Sequence, residues 1–182
     1  MESFEISSAD LSTEELVAGR DHVIAQMKWT RQYSLQLIES IPEDRWFEMP
    51  EGLPTHVAWQ VGHLAVSQYG LMLFRQRGRS PGDLEIMPGW LRKQFGRGTQ
   101  PGARTEKSPA RLELLERLEK IHQQALAEIQ DLTPEILAEA TEMPYAAYPI
   151  KLGALMFCPI HEGLHAGQIG SLRRALGLEP IR

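Results

Sequence analysis

The sequence predicts an all-α protein built as a bundle of four helices. Four long segments repeat apolar residues at about the 3.6-residue helical period, and no other segment has a convincing strand pattern. A long connection between the second and third helices permits a crossover topology rather than a simple up-and-down bundle. The length of 182 residues suits a single domain that spans 1–182.

The first predicted helix begins at Ser12 or Thr13 and ends before Pro42. Acidic residues follow the candidate cap directly, at Glu14 and Glu15, which is the pattern of a capping box. Proline lacks the backbone N–H that a helix interior needs, so Pro42 should end the helix.

The second predicted helix follows Pro54, with Thr55 as its cap, and ends near Gly78. Its Gly62 and Gly70 would each cost about 1 kcal/mol relative to alanine in a plain surface helix. Their presence therefore indicates either a close approach between helices or a nearby site.

Residues 78–107 form the connection, which is rich in glycine and proline, with a short helical turn expected at Trp90–Phe95. Loops of this length inside compact domains are uncommon and often functional. A plain surface crossover between two helices explains the same composition, so both interpretations stay open.

The third predicted helix opens at Ser108-Pro109, with proline at the first helical position. A short helical turn should start at Thr133, and residues 141–151 should be irregular with some extended backbone. The fourth helix runs from about Leu152 to Leu176, and Gly177 follows it as a C-cap glycine.

The composition excludes several classes of protein. The net charge of −5 and the absence of a basic run give no electrostatic footprint for nucleic acid. No run approaches the roughly 18 apolar residues of a membrane span. The acidic N-terminal residues 1–5 do not resemble a signal peptide. A single cysteine, Cys158, fits a reducing compartment, so a cytoplasmic protein is expected.

Two histidines on the fourth predicted helix have the spacing of metal ligands. His161 and His165 are four residues apart, which places both imidazoles on one helix face. The second helix offers His63, and also His56 seven residues earlier on nearly the same face. Three protein ligands would leave one coordination position open, as in catalytic metal sites.

Two other interpretations compete with this one. The motif His161-Glu162-Gly163-Leu164-His165 matches the His-Glu-x-x-His pattern of metalloproteases. The extended form of that pattern requires a glycine and a histidine where Gln168 and Ser171 stand, so a protease is disfavoured. Histidines on apolar helix faces are also often hydrogen-bonded core residues without a metal.

The chain resembles the DinB/YfiT-like superfamily in two motifs. Gly62-His63-Leu64-Ala65 is similar to that family's Gly-His-Leu segment. The stretch from His161 through Gly167-Gln168-Ile169 to Leu172-Arg173-Arg174-Ala175-Leu176-Gly177 is similar to its closing helix. The resemblance implies a four-helix bundle of up-down-down-up topology, often dimeric, whose metal ligands are His63, His161 and His165. It thereby selects His63 over His56.

Characterised members of that family include metal-dependent transferases and isomerases that use bacillithiol, mycothiol or glutathione. The resemblance therefore implies a divalent metal ion, zinc or nickel, and a low-molecular-weight thiol S-transferase acting on a small-molecule substrate. The alternative is a non-catalytic helical or dimerisation module that the metal stabilises. Neither the spacing nor the resemblance assigns a catalytic residue.

Several other residues near the motifs are weighed by helical geometry. Cys158 could be an extra ligand, but a small buried hydrophobic residue is favoured. Glu162 should point about 100° away from His161, which favours a solvated or interhelical carboxylate. Gln168 could bond a ligand or line a pocket. Pro159 should kink the helix or delay its regular start, which affects the exact aim of His161 but keeps the site, since both histidines follow Pro159.

The remaining histidines and aromatic residues are expected to have structural roles. His22 and His122 lack partner spacing and should lie on the surface or in packing contacts. Trp59 could wall the pocket one turn before His63. Tyr145 and Tyr148 could reach the mouth of the site. The tryptophans as a group favour core positions: Trp29, Trp46, Trp59 and Trp90.

Overall fold

The computed structural model describes residues 11–181, and its regular elements are helices. They are α1 (Thr13–Glu39), α2 (Val57–Gln68), α3 (Arg75–Arg77), α4 (Asp83–Ile86), α5 (Gly89–Phe95), α6 (Arg111–Ile129), α7 (Pro134–Ala138) and α8 (Lys151–Ala175). Within residues 11–181, the only β pairing is an isolated antiparallel bridge between Ala140 and Ile150. The all-α prediction is confirmed. Residues 1–5, whose acidic character disfavours a signal peptide, lie outside the described part.

α1 has the start and the end that its sequence predicts. The Ser12 side chain accepts the Glu15 N–H, and the Glu15 carboxylate accepts the Ser12 N–H at 2.8 Å, which completes the capping box. The helix ends at Glu39, three residues before Pro42. This cap satisfies backbone N–H groups that have no partner within the helix.

The cap of α2 differs from the prediction. The cap residue is His56 rather than Thr55, because His56 Nδ1 accepts the Trp59 N–H at 3.0 Å. The Thr55 hydroxyl instead accepts a hydrogen bond from the Gln60 side chain at 2.9 Å. A histidine ring nitrogen can serve as an N-cap acceptor, but the sequence pattern gave no reason to prefer it over the neighbouring threonine.

Beyond α2 the helix continues as π-helical turns over Tyr69–Phe74 and then as α3. It ends at Gly78, as predicted, with φ of 77°. This left-handed conformation favours glycine, because any larger residue would bring its Cβ against the backbone. π-helical turns are frequent at functional sites, and this one forms part of a cavity described below.

The connection between α2 and α6 contains two short helices, and α5 coincides with the predicted turn at Trp90–Phe95. α6 begins at Arg111 rather than at Pro109, with Ala110 as its cap. The predicted cap Ser108 is used earlier, since its hydroxyl accepts the Thr105 N–H at 2.9 Å and closes a turn before the helix. The short helix after Thr133 is confirmed, with the Thr133 side chain as cap.

α8 runs from Lys151 to Ala175, and Gly177 follows with φ of 72°, as predicted for a C-cap glycine. Pro159 lies inside it, and the helix continues without interruption across that position. Residues 141–149 are irregular, as predicted for 141–151, but Lys151 at the end of that range already belongs to α8.

The four long helices pack as a bundle, with α1 against α8, α2 against α6, and α2 against α8. One apolar core surrounds α2 and the C-terminal half of α8, and a second fills the space between α1 and the N-terminal half of α8. The up-down-down-up order of the helices stays a prediction. None of the helices in residues 11–181 is long and apolar enough to cross a membrane.

A buried polar network ties these helices together. Arg31 on α1 binds the Glu162 carboxylate on α8 through two nitrogens, at 2.8 Å and 2.9 Å. It also donates to Gln68 on α2 at 2.8 Å and to the Leu118 carbonyl on α6 at 3.1 Å. A single guanidinium therefore contacts all four long helices. Both charged side chains are almost fully buried, with Arg31 at 2% exposure and Glu162 at 1%.

Candidate metal centre

Three histidines meet between α2 and α8. His63 comes from α2, while His161 and His165 lie one turn apart on α8. One candidate ligand atom from each ring lies within 4.8 Å of the others. The ring centroids are separated by 4.5 Å for His161 and His165, and by 4.9 Å and 5.3 Å for His63 with His165 and with His161. This cluster could hold a metal ion.

Hydrogen bonds fix the protonation of two of these rings. His63 Nδ1 lies 2.8 Å from the Phe95 carbonyl oxygen, so this nitrogen carries the proton and donates it. His165 Nδ1 donates in the same way to the Gln60 side-chain oxygen. In both rings Nε2 is therefore unprotonated and carries a lone pair, which is the form that binds a metal.

The acceptor for His165 is itself held in place. The Gln60 amide nitrogen donates to Thr55 at 2.9 Å and to the Gln168 side-chain oxygen at 2.8 Å. These two bonds orient the amide so that its oxygen, rather than its nitrogen, faces His165. Gln168 thus supports the cluster as the sequence allowed, but through Gln60 rather than by a direct contact with a histidine.

Gln60→Leu should weaken divalent-metal binding about 10- to 100-fold, because it removes the acceptor that orients His165. A competition titration with a chromophoric chelator measures this change. Gln36→Leu, at an exposed position of α1, is the matched control and should leave the affinity unchanged. An unaltered affinity in Gln60→Leu would show that the hydrogen bond to Gln60 does not prepare the ring.

The connection between α2 and α6 builds one wall of the cluster. Trp59 on α2 stacks on His63 with ring centroids 4.6 Å apart and an interplanar angle of 8°. Its indole nitrogen donates to Thr99 of the connection at 3.1 Å. Phe95 packs directly over Gly62, where a Cβ would come within 2.4 Å of its ring. Gly62 therefore permits the close approach that places the Phe95 carbonyl against His63. The connection is part of the site rather than a plain surface crossover.

Burial keeps the three imidazoles neutral. It lowers the pKa of His63, and it lowers the pKa of His161 to about 4 and that of His165 to about 3, with the neighbouring rings adding to the last two shifts. His122 also has a pKa lowered to about 3 by burial, and then by the positive charges of Arg31 and Lys28. Near neutral pH the cluster thus presents lone pairs rather than protons to a cation.

The metal-free protein should lose stability as the pH falls from about 6.5 towards 4. Histidines of the unfolded chain take up protons in this window, whereas the folded chain keeps His161, His165 and His122 neutral until about 4 or 3. The unfolded state then binds more protons, so the free energy of unfolding decreases with decreasing pH.

Urea denaturation of the metal-free protein at about pH 7 and about pH 5 measures this dependence. His122→Leu should show a smaller loss between the two conditions, because one of the responsible histidines is gone. Equal stability of the wild-type protein at both values would contradict the burial of neutral histidines.

A cavity of about 730 Å³ lies beside the cluster, with His63 and His161 in its wall. Its other walls come from the π-helical turns, the connection between α2 and α6, and the segment before α8. Phe74 and Tyr145 belong to these walls, and Phe157 contributes from α8 itself. Ser67 also lines the cavity, and its hydroxyl lies 3.3 Å from His63 Nε2, the nitrogen available to a metal. Solvent-sized molecules can therefore reach the cluster from this side.

Cys158 and Glu162 do not join the cluster. Cys158 is buried in the apolar core at 2% exposure, and burial raises the pKa of its thiol, so the interpretation as a small hydrophobic residue is supported. Glu162 is the interhelical carboxylate bound by Arg31, and it is buried rather than solvated. The glutamate that a His-Glu-x-x-His protease would use as a base is thus already engaged, which further disfavours that interpretation.

The other three histidines lie outside the cluster. His56 caps α2, and its Nε2 donates to the Gly102 carbonyl at 3.0 Å. His122 bonds the Gln68 amide at 3.0 Å inside the buried network, and His22 is exposed. Pro159 does not move His161 away from the cluster, because the helix continues through it.

The aromatic predictions are confirmed in part. Trp46 is buried, and Trp59 walls the cluster as expected, but Trp29 is 67% exposed and the core prediction for it is wrong. Trp29 instead stacks on Tyr33 at the surface of α1. Tyr145 reaches the cavity, whereas Tyr148 packs against the core between α1 and α8.

Sequence reasoning missed Gln60, the Phe95 carbonyl and Ser67. Gln60 lies three residues before His63, a helical spacing that could have drawn attention to it. Phe95 contributes through its backbone, so its side chain carries no signal of the role. The neighbouring Gly62 was the available hint, since it indicated a close approach at this point of α2.

Comparison with known proteins identifies the family. A search of curated proteins finds no match. The sequence profile of the DinB superfamily, in contrast, matches residues 26–169, which include α2, α6 and the three clustered histidines. A match over most of the chain agrees with the helical bundle and with a histidine cluster that could hold a metal ion. This chain belongs to the DinB superfamily.

Proposed function

We propose that this protein is an enzyme that holds one divalent metal ion, zinc or nickel, on His63, His161 and His165. The observation that carries the proposal is the convergence of three neutral imidazoles at the wall of an open cavity. Nitrogen ligands of this kind suit zinc and nickel, and three of them leave a position for a further ligand. The proposal also places the protein in the cytoplasm.

We further propose that the reaction is transfer of a low-molecular-weight thiol to a small electrophilic molecule. When bound, the ion would lower the pKa of a thiol, so that a nucleophilic thiolate exists near neutral pH. The thiolate sulfur bonds to the electrophilic carbon, the leaving group departs with its electron pair, and the thiol proton passes to solvent.

The chain's own residues prepare the site for this chemistry. Phe95 and Gln60 hold the Nδ1 protons of His63 and His165, which leaves both Nε2 lone pairs available to an ion. Trp59 covers one face of His63 and excludes water from it. Ser67 offers a hydroxyl beside the same nitrogen and could hold a thiol or water in position.

A non-catalytic module is the alternative, and it is favoured by the fact that the cluster joins α2 to α8. In that case metal binding would contribute only to folding free energy. Both hypotheses predict that chelation lowers thermal stability, so stability alone does not separate them. The dimer implied by the family resemblance stays a prediction under either hypothesis.

Thiol-transfer assays distinguish the two hypotheses. Zinc-loaded and nickel-loaded protein would be incubated with chlorodinitrobenzene and each of glutathione, bacillithiol and mycothiol, and conjugate formation followed by absorbance. The enzyme hypothesis predicts conjugation with at least one thiol, its loss on chelation, and its return when metal is restored. A fully metal-loaded protein that conjugates none of the three thiols would contradict thiol transfer.

A further inference from the structure

We propose that the cavity beside the three histidines binds a small molecule that carries a carboxylate or a similar oxyanion, through Arg92 and Arg97. This inference deepens the proposed function, on which it rests for the role of the cavity as a substrate site. It concerns the class of the ligand that occupies the cavity, and it depends on charges that lie outside the histidine cluster.

The charge of the cavity is opposite to that of the chain. The whole sequence has a net charge of −5, yet the cavity is lined by three arginines, Arg75, Arg92 and Arg97, and by a single acidic residue, Glu142. Phe74 and Phe157 contribute apolar walls next to these charges. Charges beside apolar walls interact more strongly with a ligand than charges surrounded by water.

Arg75 has a structural role within this set. Its guanidinium donates to the backbone carbonyls of Glu142 at 3.0 Å, Tyr145 at 3.2 Å and Pro144 at 3.3 Å. It thereby fixes the segment that closes the cavity ahead of α8. Since these bonds use its donors, Arg75 adds positive charge but has little capacity left for a ligand.

Arg92 and Arg97 have their donors available. Both lie in the connection between α2 and α6, are exposed, and have no carboxylate partner among the described residues. Arg97 lies over the Tyr145 ring, with its Cζ 5.0 Å from the ring centroid, which holds the side chain at the cavity wall. Arg31 and Arg77, in contrast, are each bound to carboxylates.

Guanidinium groups match the planar, two-oxygen geometry of carboxylates and phosphates. A ligand with a thiol or an electrophilic group at one end and an oxyanion at the other could contact the histidine cluster and these arginines together. A neutral analogue of the same size would have no comparable partner for its far end. The cavity therefore favours acids over their neutral amides.

The test compares 3-mercaptopropionate with its neutral analogue 3-mercaptopropionamide by isothermal titration calorimetry. Both probes are titrated into zinc-loaded wild-type protein, the double variant Arg92→Gln with Arg97→Gln, and Lys93→Gln. Lys93 is a matched control, because it is an exposed cation on α5 that does not line the cavity. The zinc content of each sample is measured by elemental analysis.

The wild-type protein and Lys93→Gln should bind the carboxylate probe about tenfold more tightly than the amide, a preference that high salt reduces. The double variant should lose most of this preference while its zinc content stays unchanged. Equal binding of the two probes by the wild-type protein, or a preference that is undiminished in the double variant, would overturn the inference.

The design separates this inference from the proposed function. A wild-type protein that holds zinc but binds the carboxylate probe no more tightly than the amide contradicts only the role of Arg92 and Arg97. A wild-type protein that prefers the carboxylate but takes up no zinc supports the oxyanion site and contradicts the metal-dependent enzyme.

Discussion

Arg31→Met should destabilise the protein by about 3–5 kcal/mol, because it leaves the Glu162 carboxylate buried without its partner. Glu162 is 1% exposed, and both of its oxygens accept from Arg31. Gln68 and the Leu118 carbonyl would lose donors at the same time. The free energy of unfolding from urea denaturation, monitored by circular dichroism at neutral pH, measures the loss.

An exposed ion pair provides the control for this prediction. Glu48 bonds Arg45 at 2.8 Å with 44% of its side chain accessible to solvent, so Glu48→Gln should leave the free energy of unfolding almost unchanged. The double variant Arg31→Met with Glu162→Leu should recover part of the stability, because it removes the unpaired charge. If Arg31→Met lowered the free energy of unfolding no more than Glu48→Gln does, the network would not hold the four helices together.

His165→Ala should lower the affinity for zinc or nickel by more than about 100-fold, since losing a ligand costs more than losing the residue that orients one. The same direction is expected for His63→Ala and His161→Ala. Metal present at about 100 times the dissociation constant should stabilise the wild-type protein by about 2.7 kcal/mol, and this gain should disappear in each variant.

Thermal unfolding with and without metal reports this stabilisation, and a chelator competition titration gives the affinity. His22→Ala is the control, because His22 is an exposed histidine of α1 outside the cluster. It should keep both the affinity and the stabilisation. Wild-type affinity in His165→Ala would remove that residue from the ligand set.

Local signals in the sequence were enough to predict most helix ends. The capping box at Ser12 and the glycines Gly78 and Gly177 act through bonds and backbone angles within a few residues of the helix end. The starts of α2 and α6 were misplaced because the expected cap hydroxyls of Thr55 and Ser108 are used elsewhere. Which acceptor a backbone N–H finds depends on tertiary neighbours that the pattern does not contain.

The cluster itself could be predicted because helical spacing and the family resemblance both pointed to His63, His161 and His165. The groups that surround the cluster could not be predicted in this way. Gln60 reaches His165 from another helix, and Phe95 contributes a backbone carbonyl from a distant segment. The exposure of Trp29 could not be predicted either, because an aromatic residue in an amphipathic helix can still face solvent.

The most direct test of the account is the metal content of the untagged protein. After incubation with micromolar zinc or nickel and removal of excess ion, elemental analysis should find about one ion per chain. The variant with His63, His161 and His165 all replaced by alanine should contain almost none. A wild-type protein that stays metal-free under these conditions, or a triple variant that retains its ion, would contradict a metal centre on these three histidines.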